Sequence, residues 1–379
     1  MSMQTYRLTP KAPLVFRTGK PFLAGTRDRA HYPWPSAWAG MLRTHYMDHH
    51  GMGPESAEAL LQLPAHGALL AACSMDGRLS LWLPKPADAI ALAGTEANGA
   101  DAQEVSFLRL TPISAPAGTG SDLPTGLLPV GLPGKEKGKP RSSPAFWPLA
   151  DYLDWAEGKP VAVALSGRRL ANTLTLPEEE TRTHVSVDPQ TEAAVEGRLF
   201  QTAALDFAPR PKLGAGWVFV GRGPAGLPSG LVTFGGERRL SVLEPADDGI
   251  FAVPSALQEP LSKARGMAVT LATPAVFSAG WRPGWLEQNL TGQWPDSPLR
   301  VRLRAAVVER WQPVSGWDLR ARAPKPMRRA VAAGATYWFE VLDGDIDPAR
   351  LWLQPISDAA QDRRDGFGLA VLRPWTPLS

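Results

Sequence analysis

Alternation of apolar and polar positions is clearest in the last third of the chain. Leu299–Glu309 (LRVRLRAAVVE) sets Leu, Val and Leu against Arg at every second residue, the period of a strand with one buried face and one wet basic face. Met267–Phe277 (MAVTLATPAVF) predicts a strand that runs into a turn at Thr273-Pro274. Ala330–Leu342 predicts its hairpin partner and Gly368–Arg373 a closing strand. Between them Pro283–Asn289, with its proline near the first helical position, and Pro348–Gln354 predict short helices. The order β-α-β-β-α-β is the ferredoxin-like arrangement and gives a domain over residues 263–379.

The first two thirds carry a similar pattern, interrupted. Thr5–Phe16 predicts a strand, and Ser36–His50 a helix with Ser36 at the N-cap and Met41, Leu42 and His45 on one face. Strands are expected at Ala68–Leu83, Glu104–Leu110, Val161–Leu165, Leu199–Phe207, Trp217–Val220 and Leu240–Leu243. These predict a second ferredoxin-like core over residues 1–262, swollen by insertions. The fold class is α+β, with two ferredoxin-like (RRM-like) domains. From Pro112 to Pro148, eight prolines and six glycines surround GKEKGKPR at 134–141 without apolar periodicity. That composition predicts an exposed, flexible loop that tolerates partial deletion.

Composition narrows the class. The chain has 379 residues, 44% apolar and 20% charged, enough to bury a core. No run of about 18 apolar residues predicts a membrane-spanning helix. The opening MSMQTYRLTPKAPLVF lacks the apolar block of a signal peptide. A single cysteine, Cys73, excludes an intrachain disulfide and a multi-cysteine zinc site, which points to the cytoplasm. The net charge of +3 says less than its distribution. Between Arg300 and Arg329, nine basic residues stand against Glu309 and Asp318. That suits RNA or an acidic partner, and a solvated strand face would look the same.

Two glycine turns combine the groups an RNA backbone needs. Glycine lets backbone N–H groups approach phosphate oxygens without a Cβ in the way. Arg363-Arg364-Asp365-Gly366-Phe367-Gly368 adds two cations and a ring on which a base could stack. Gly235-Gly236-Glu237-Arg238-Arg239 offers the glycines and cations, and a plain β-hairpin turn would use the same residues. Arg17, Lys20 and Arg43 are further phosphate candidates, as is the tract Lys325, Arg328 and Arg329. His45 and His49 have the i, i+4 spacing of two zinc ligands, but no third ligand is evident and no metal or other cofactor is expected. A dinucleotide fingerprint is likewise absent, because Pro224 interrupts Gly221-Arg222-Gly223 before Gly226.

Seven local patterns in order then resemble one family. They are Leu14–Phe22 (LVFRTGKPF), Pro33–Thr44 (PWPSAWAGMLRT), Thr181–Val185 (TRTHV) with Glu196–Phe200 (EGRLF), Phe234–Arg239 (FGGERR), Gly316–Asp318 (GWD), Lys325–Val331 (KPMRRAV) and Gly366–Gly368 (GFG). The chain resembles the RAMP-superfamily subunit of type III-B CRISPR (Cmr) effector complexes that holds the 5′ end of the CRISPR RNA. The resemblance implies two RAMP domains, a β-hairpin thumb reaching over the guide, assigned to 181–197, and no nuclease chemistry. It implies as partners the 5′ tag of the CRISPR RNA, the large palm-domain subunit and the backbone RAMP subunits, with target RNA met indirectly and no membrane. Arg182 and His184 fall in that thumb, where they could clamp RNA or brace the hairpin. The alternative is a metal-independent RAMP endoribonuclease acting on precursor CRISPR RNA, for which His31, Tyr32 and His45 are the acid–base candidates.

Overall fold

A computed structural model describes residues 2–17, 30–92, 104–115, 118–134, 138–140, 143–164, 176–207, 215–318, 321 and 323–378. The chain forms two compact units, each discontinuous in sequence. The first comprises residues 1–79, 174–247 and 313–329, and the second residues 80–173, 248–312 and 330–379. The division at residue 262 expected from the strand pattern therefore gives way to an interleaved one. Residues 80–173 join the second unit and residues 313–329 the first.

In the first unit the strands Met3–Pro10, His66–Ser74, Ala215–Pro224 and Leu240–Pro245 form an antiparallel sheet. Across the sheet they stand in the order fourth, first, third, second, with Gly230–Thr233 paired to the outer edge of the fourth. The predicted strand Ala68–Leu83 is in fact two, His66–Ser74 and Leu79–Pro84, separated by a turn at Asp76-Gly77 where Gly77 takes a φ of 81°. The helix Pro35–His49 packs on the strands His66–Ser74 and Ala215–Pro224. Its N-cap is Trp34, not Ser36, because Pro35 fits the first helical position, where no N–H is required. Glycine in the sheet admits this helix: a Cβ on Gly221 would come within 2.5 Å of the Trp38 ring. Of the glycines weighed as a nucleotide fingerprint, Gly221 and Gly223 thus serve helix–sheet packing, the second against Leu42.

The second unit's sheet contains Gly266–Leu271, Arg300–Val307, Thr336–Asp343 and Leu369–Pro374, again in the spatial order fourth, first, third, second. Thr291–Gln293 and Gln354–Pro355 extend its edges. The expected helix Pro283–Asn289 is a series of turns. Seven residues containing Gly284 are too short and too glycine-weakened for a helix to stand alone. Asp358 holds this segment instead, accepting from the Ser278 and Gly284 backbone N–H groups at 2.6 and 2.8 Å. Trp285 then lies against Phe339, with ring centroids 5.8 Å apart. The expected helix Pro348–Gln354 is the single turn Pro348–Leu351.

Residues 80–173 are bound to this second sheet through a buried ion pair. Arg373 lies 2.5 Å from Asp88, both essentially inaccessible, and Thr336 donates to the same carboxylate at 3.2 Å. Arg109, stacked 4.1 Å over Trp155, has its pKa pushed down to about 10 by burial and then by the neighbouring Arg373 charge. Within 112–148, residues 118–126 are exposed, whereas the stretch around Leu128 is attached. Leu128 donates to the Arg304 carbonyl at 2.6 Å, and Leu128 and Val130 pack on Ala268, Ala305 and Trp338. Trp147 is wholly buried against Phe107 and Trp155.

Candidate nucleic-acid interface

In the first unit, the segment after the opening strand, a glycine turn and the foot of a long hairpin meet. The hairpin pairs Glu178–Val187 with Ala194–Asp206, and is longer than the 181–197 span assigned from sequence. Leu14 bonds reciprocally with Leu205 through the backbone, at 2.9 and 2.8 Å. One residue on, the Val15 carbonyl accepts from the Gly236 N–H at 2.8 Å. Gly235 has a φ of 85°, and a Cβ there would sit 2.9 Å from the Val15 oxygen, so both conformation and space require glycine. Phe234 fixes the turn from beneath, edge-on to Phe16, Trp38 and Phe219.

This scaffold collects charge. The turn joins Gly230–Thr233 to Leu240–Pro245, so it is a hairpin connection, with Glu237 and Arg238 in the left-handed region at φ 59° and 50°. Arg238 is exposed. Arg239 and Arg17 both approach Glu237, at 2.7 and 3.6 Å. Arg182, on the hairpin, pairs with Glu180 at 2.7 Å, which holds that carboxyl below its usual range. His184 braces the hairpin: it bonds Thr202 at 2.8 Å and stacks on Phe200, its cross-strand partner. The acidic member, Glu237, had no part in the sequence argument, although its place inside a glycine–arginine tract was the visible signal.

Other candidates fall elsewhere or into structural work. Lys20 lies outside the described residues. Arg43 is 8% exposed and donates to the Leu61 and Leu63 carbonyls, so it clamps the chain beyond the helix and offers no charge to a phosphate. Lys325, Arg328 and Arg329 are exposed, in the stretch 313–329 that belongs to the first unit. Lys325 is held in a small hairpin there, its N–H bonded to the Gly316 carbonyl at 2.8 Å.

The turn at 363–368, in the second unit, corrects the strongest expectation. Phe367 is 0% exposed, and a ring in the core has no face for a base. The N–H groups of Gly366, Phe367 and Gly368 already bond the Arg363, Asp362 and Pro274 carbonyls, at 3.0, 2.9 and 2.8 Å. Arg363 reaches Asp296 at 3.1 Å and also donates to the Ser357 and Asp358 carbonyls. Arg364 is half-buried, and it is the second cation of a turn whose first is already engaged. The glycines close a helix end whose polar groups are satisfied internally.

His31 stacks on Trp34, burial pushes the Tyr32 phenol well above its usual range, and His45 meets the Pro228 carbonyl at 2.9 Å. Among the described residues no group of three or more His, Cys, Asp or Glu could hold a metal ion. Nor is any described helix long and apolar enough to cross a membrane.

A family model described as CRISPR-associated protein (Cas_Cmr3) matches residues 6–375. The chain belongs to that family. As a Cas_Cmr3 protein it is a subunit of a type III CRISPR effector complex, a ribonucleoprotein, as the seven ordered patterns implied. No curated protein matches it. Among solved structures it is similar to a chain of the type III-B Cmr-beta bound to cognate target RNA, at 13% identity over 88% of this chain and 86% of that one, with a TM-score of 0.47. It is also similar to a chain of the Csm3-Csm4 subcomplex of the type III-A interference complex, at 9% identity over 99% and 100%, with a TM-score of 0.40. At those scores the likenesses add nothing to the family assignment.

Proposed function

We propose that this Cas_Cmr3 protein is a non-catalytic guide-holding subunit that caps the 5′ tag of the CRISPR RNA and docks the large subunit and backbone RAMP subunits. In this reading both units are ferredoxin-like RAMP domains, which the shared strand order supports, and the hairpin Glu178–Asp206 is the thumb. The convergence of Arg17, Arg238 and Arg239 on one glycine turn carries the proposal. A phosphate there meets cations from two segments of chain; the Gly236 N–H is already bonded to the Val15 carbonyl, so the arginines supply the attraction. Gly235 and Gly236 shape that surface, with Lys325, Arg328 and Arg329 as further cations of the same unit. Arg363, Arg364, Gly366, Phe367 and Gly368 are left out of it, as are Arg43 and His184, because those groups are buried, half-buried or engaged inside the fold. Arg182 is exposed and paired with Glu180 much as Arg17 is with Glu237, so it stays a candidate cation on the hairpin.

Guide-RNA binding by wild type and by the Arg17→Ala/Arg238→Ala variant across a salt series tests this reading. Affinity should fall, and the log–log salt slope should flatten by about 0.7 for each single-strand phosphate that the variant no longer neutralises. Unchanged affinity and slope in a folded variant would move the guide to another surface.

A further inference from the structure

We propose that the second unit holds a monovalent anion of chloride size, buried among Arg109, Arg373, Tyr152 and Trp155. Three cations gather there. Arg373 is 4% exposed and pairs with Asp88, Arg109 lies 4.1 Å over the Trp155 ring, and half-buried Lys85 feels the Asp88 charge. Against them, among the described residues, stand Asp88, wholly buried, and Glu309, which is exposed and acts on Lys85. Three cations and two carboxylates leave one positive charge without a counter-charge in a poorly solvated place, where such a charge is costly.

The unsatisfied polar atoms indicate what supplies it. Arg373 Nε, Tyr152 Oη, Trp147 Nε1 and Trp155 Nε1 are buried without a hydrogen-bond partner. Trp147 and Trp155 stand edge to face at 5.5 Å, and Tyr152 feels the charges of Arg373, Asp88 and Arg109. All four atoms are donors. Guanidinium and indole N–H groups cannot accept, and burial pushes the Tyr152 phenol well above its usual range, so its hydroxyl keeps its proton. The acceptors nearby are engaged: Asp88 by Arg373 and Thr336, and the Trp155 carbonyl by Arg109. A water molecule would bring two more protons to a place already rich in donors, whereas an anion only accepts and also balances the charge. Trp147 and Tyr152 are 0% exposed and Trp155 2%, an enclosure that admits an ion and not a phosphate backbone. Such an anion ties residues 80–173 to the strand Leu369–Pro374 that carries Arg373. It does not rest on the guide-holding reading, which stands whether or not the ion binds.

Crystals of the whole chain grown in bromide and read at the bromine absorption edge test the proposal. An anomalous peak is expected within hydrogen-bond reach of Arg109 and of at least one of Arg373 Nε, Tyr152 Oη and Trp155 Nε1. A water, a carboxylate of the chain or no density in that place overturns it. In solution, the thermal midpoint of wild type should be several degrees higher in sodium chloride than in sodium gluconate at equal ionic strength, because gluconate is too large to enter. It should also rise with the logarithm of the chloride concentration. Arg109→Gln should lose that difference. Equal midpoints for wild type in the two salts, or an undiminished difference in the variant, overturns the proposal, and if the variant does not fold the wild-type bromide peak decides.

Discussion

Glu237 Oε2 accepts from Arg239 Nη2 at 2.7 Å while Oε1 lies 3.6 Å from Arg17 Nη2, so one carboxylate stands where two cations from distant segments converge. In the proposed guide-holding role that is the position a phosphate would take. Exposed ion pairs contribute only about 0–1 kcal/mol, so the carboxylate is readily displaced. Glu237→Gln is therefore expected to tighten guide-RNA binding, by up to about fivefold at moderate salt. Filter or fluorescence titration would show it. Weaker binding by the variant would mean that the carboxylate orders the arginines and does not compete with RNA.

Asp88→Ala should destabilise the protein by about 3–5 kcal/mol, because it leaves the Arg373 guanidinium buried without its counter-charge. Urea denaturation checks this. Asp88→Leu with Arg373→Met removes both charges and should cost clearly less.

Phe367→Ala should act on stability and not on RNA. Removing a fully buried ring costs about 3–5 kcal/mol. Where the variant remains folded, its affinity for guide RNA should match wild type. A selective drop in RNA binding at unchanged stability would restore the stacking role.

Deletions within 112–148 should separate into two kinds. Removing residues 119–125, which are exposed, is expected to leave the melting temperature nearly unchanged. Removing 118–138 takes Leu128 and Val130 off the sheet surface formed by Ala268, Ala305 and Trp338 and should lower it by several degrees. Equal effects of the two deletions would show that this packing contributes nothing.

The regular strands were legible because alternation reports burial on one face, as at Arg300–Val307. Pro283–Asn289 failed as a helix because its geometry is imposed by Asp358, far along the chain, an interaction that no local pattern encodes. The attachment of Leu128 was hidden for a related reason, since two apolar residues among prolines and glycines have no period to detect. At the site, the Phe234–Arg239 turn was found through glycine and arginine together. Arg363–Gly368 carried the same letters, yet residue type could not tell that its N–H groups face inward. Similar composition thus describes an open turn in one unit and a closed helix end in the other. Burial alone separates them.

The strand order of the first unit also sets a timetable for biosynthesis. Tyr6 pairs across one side of its strand with Gly221 and across the other with Pro245. The opening strand leaves the ribosome long before either neighbour exists. At about 5–20 residues per second, the last of these partners follows roughly 12–50 s later. During that interval both hydrogen-bonding edges of Met3–Pro10 are unpaired, and the nascent chain is open to pairing with other strands. Slowing translation between residues 10 and 245 should then reduce the soluble yield of this subunit, and a chaperone that covers extended segments should recover it.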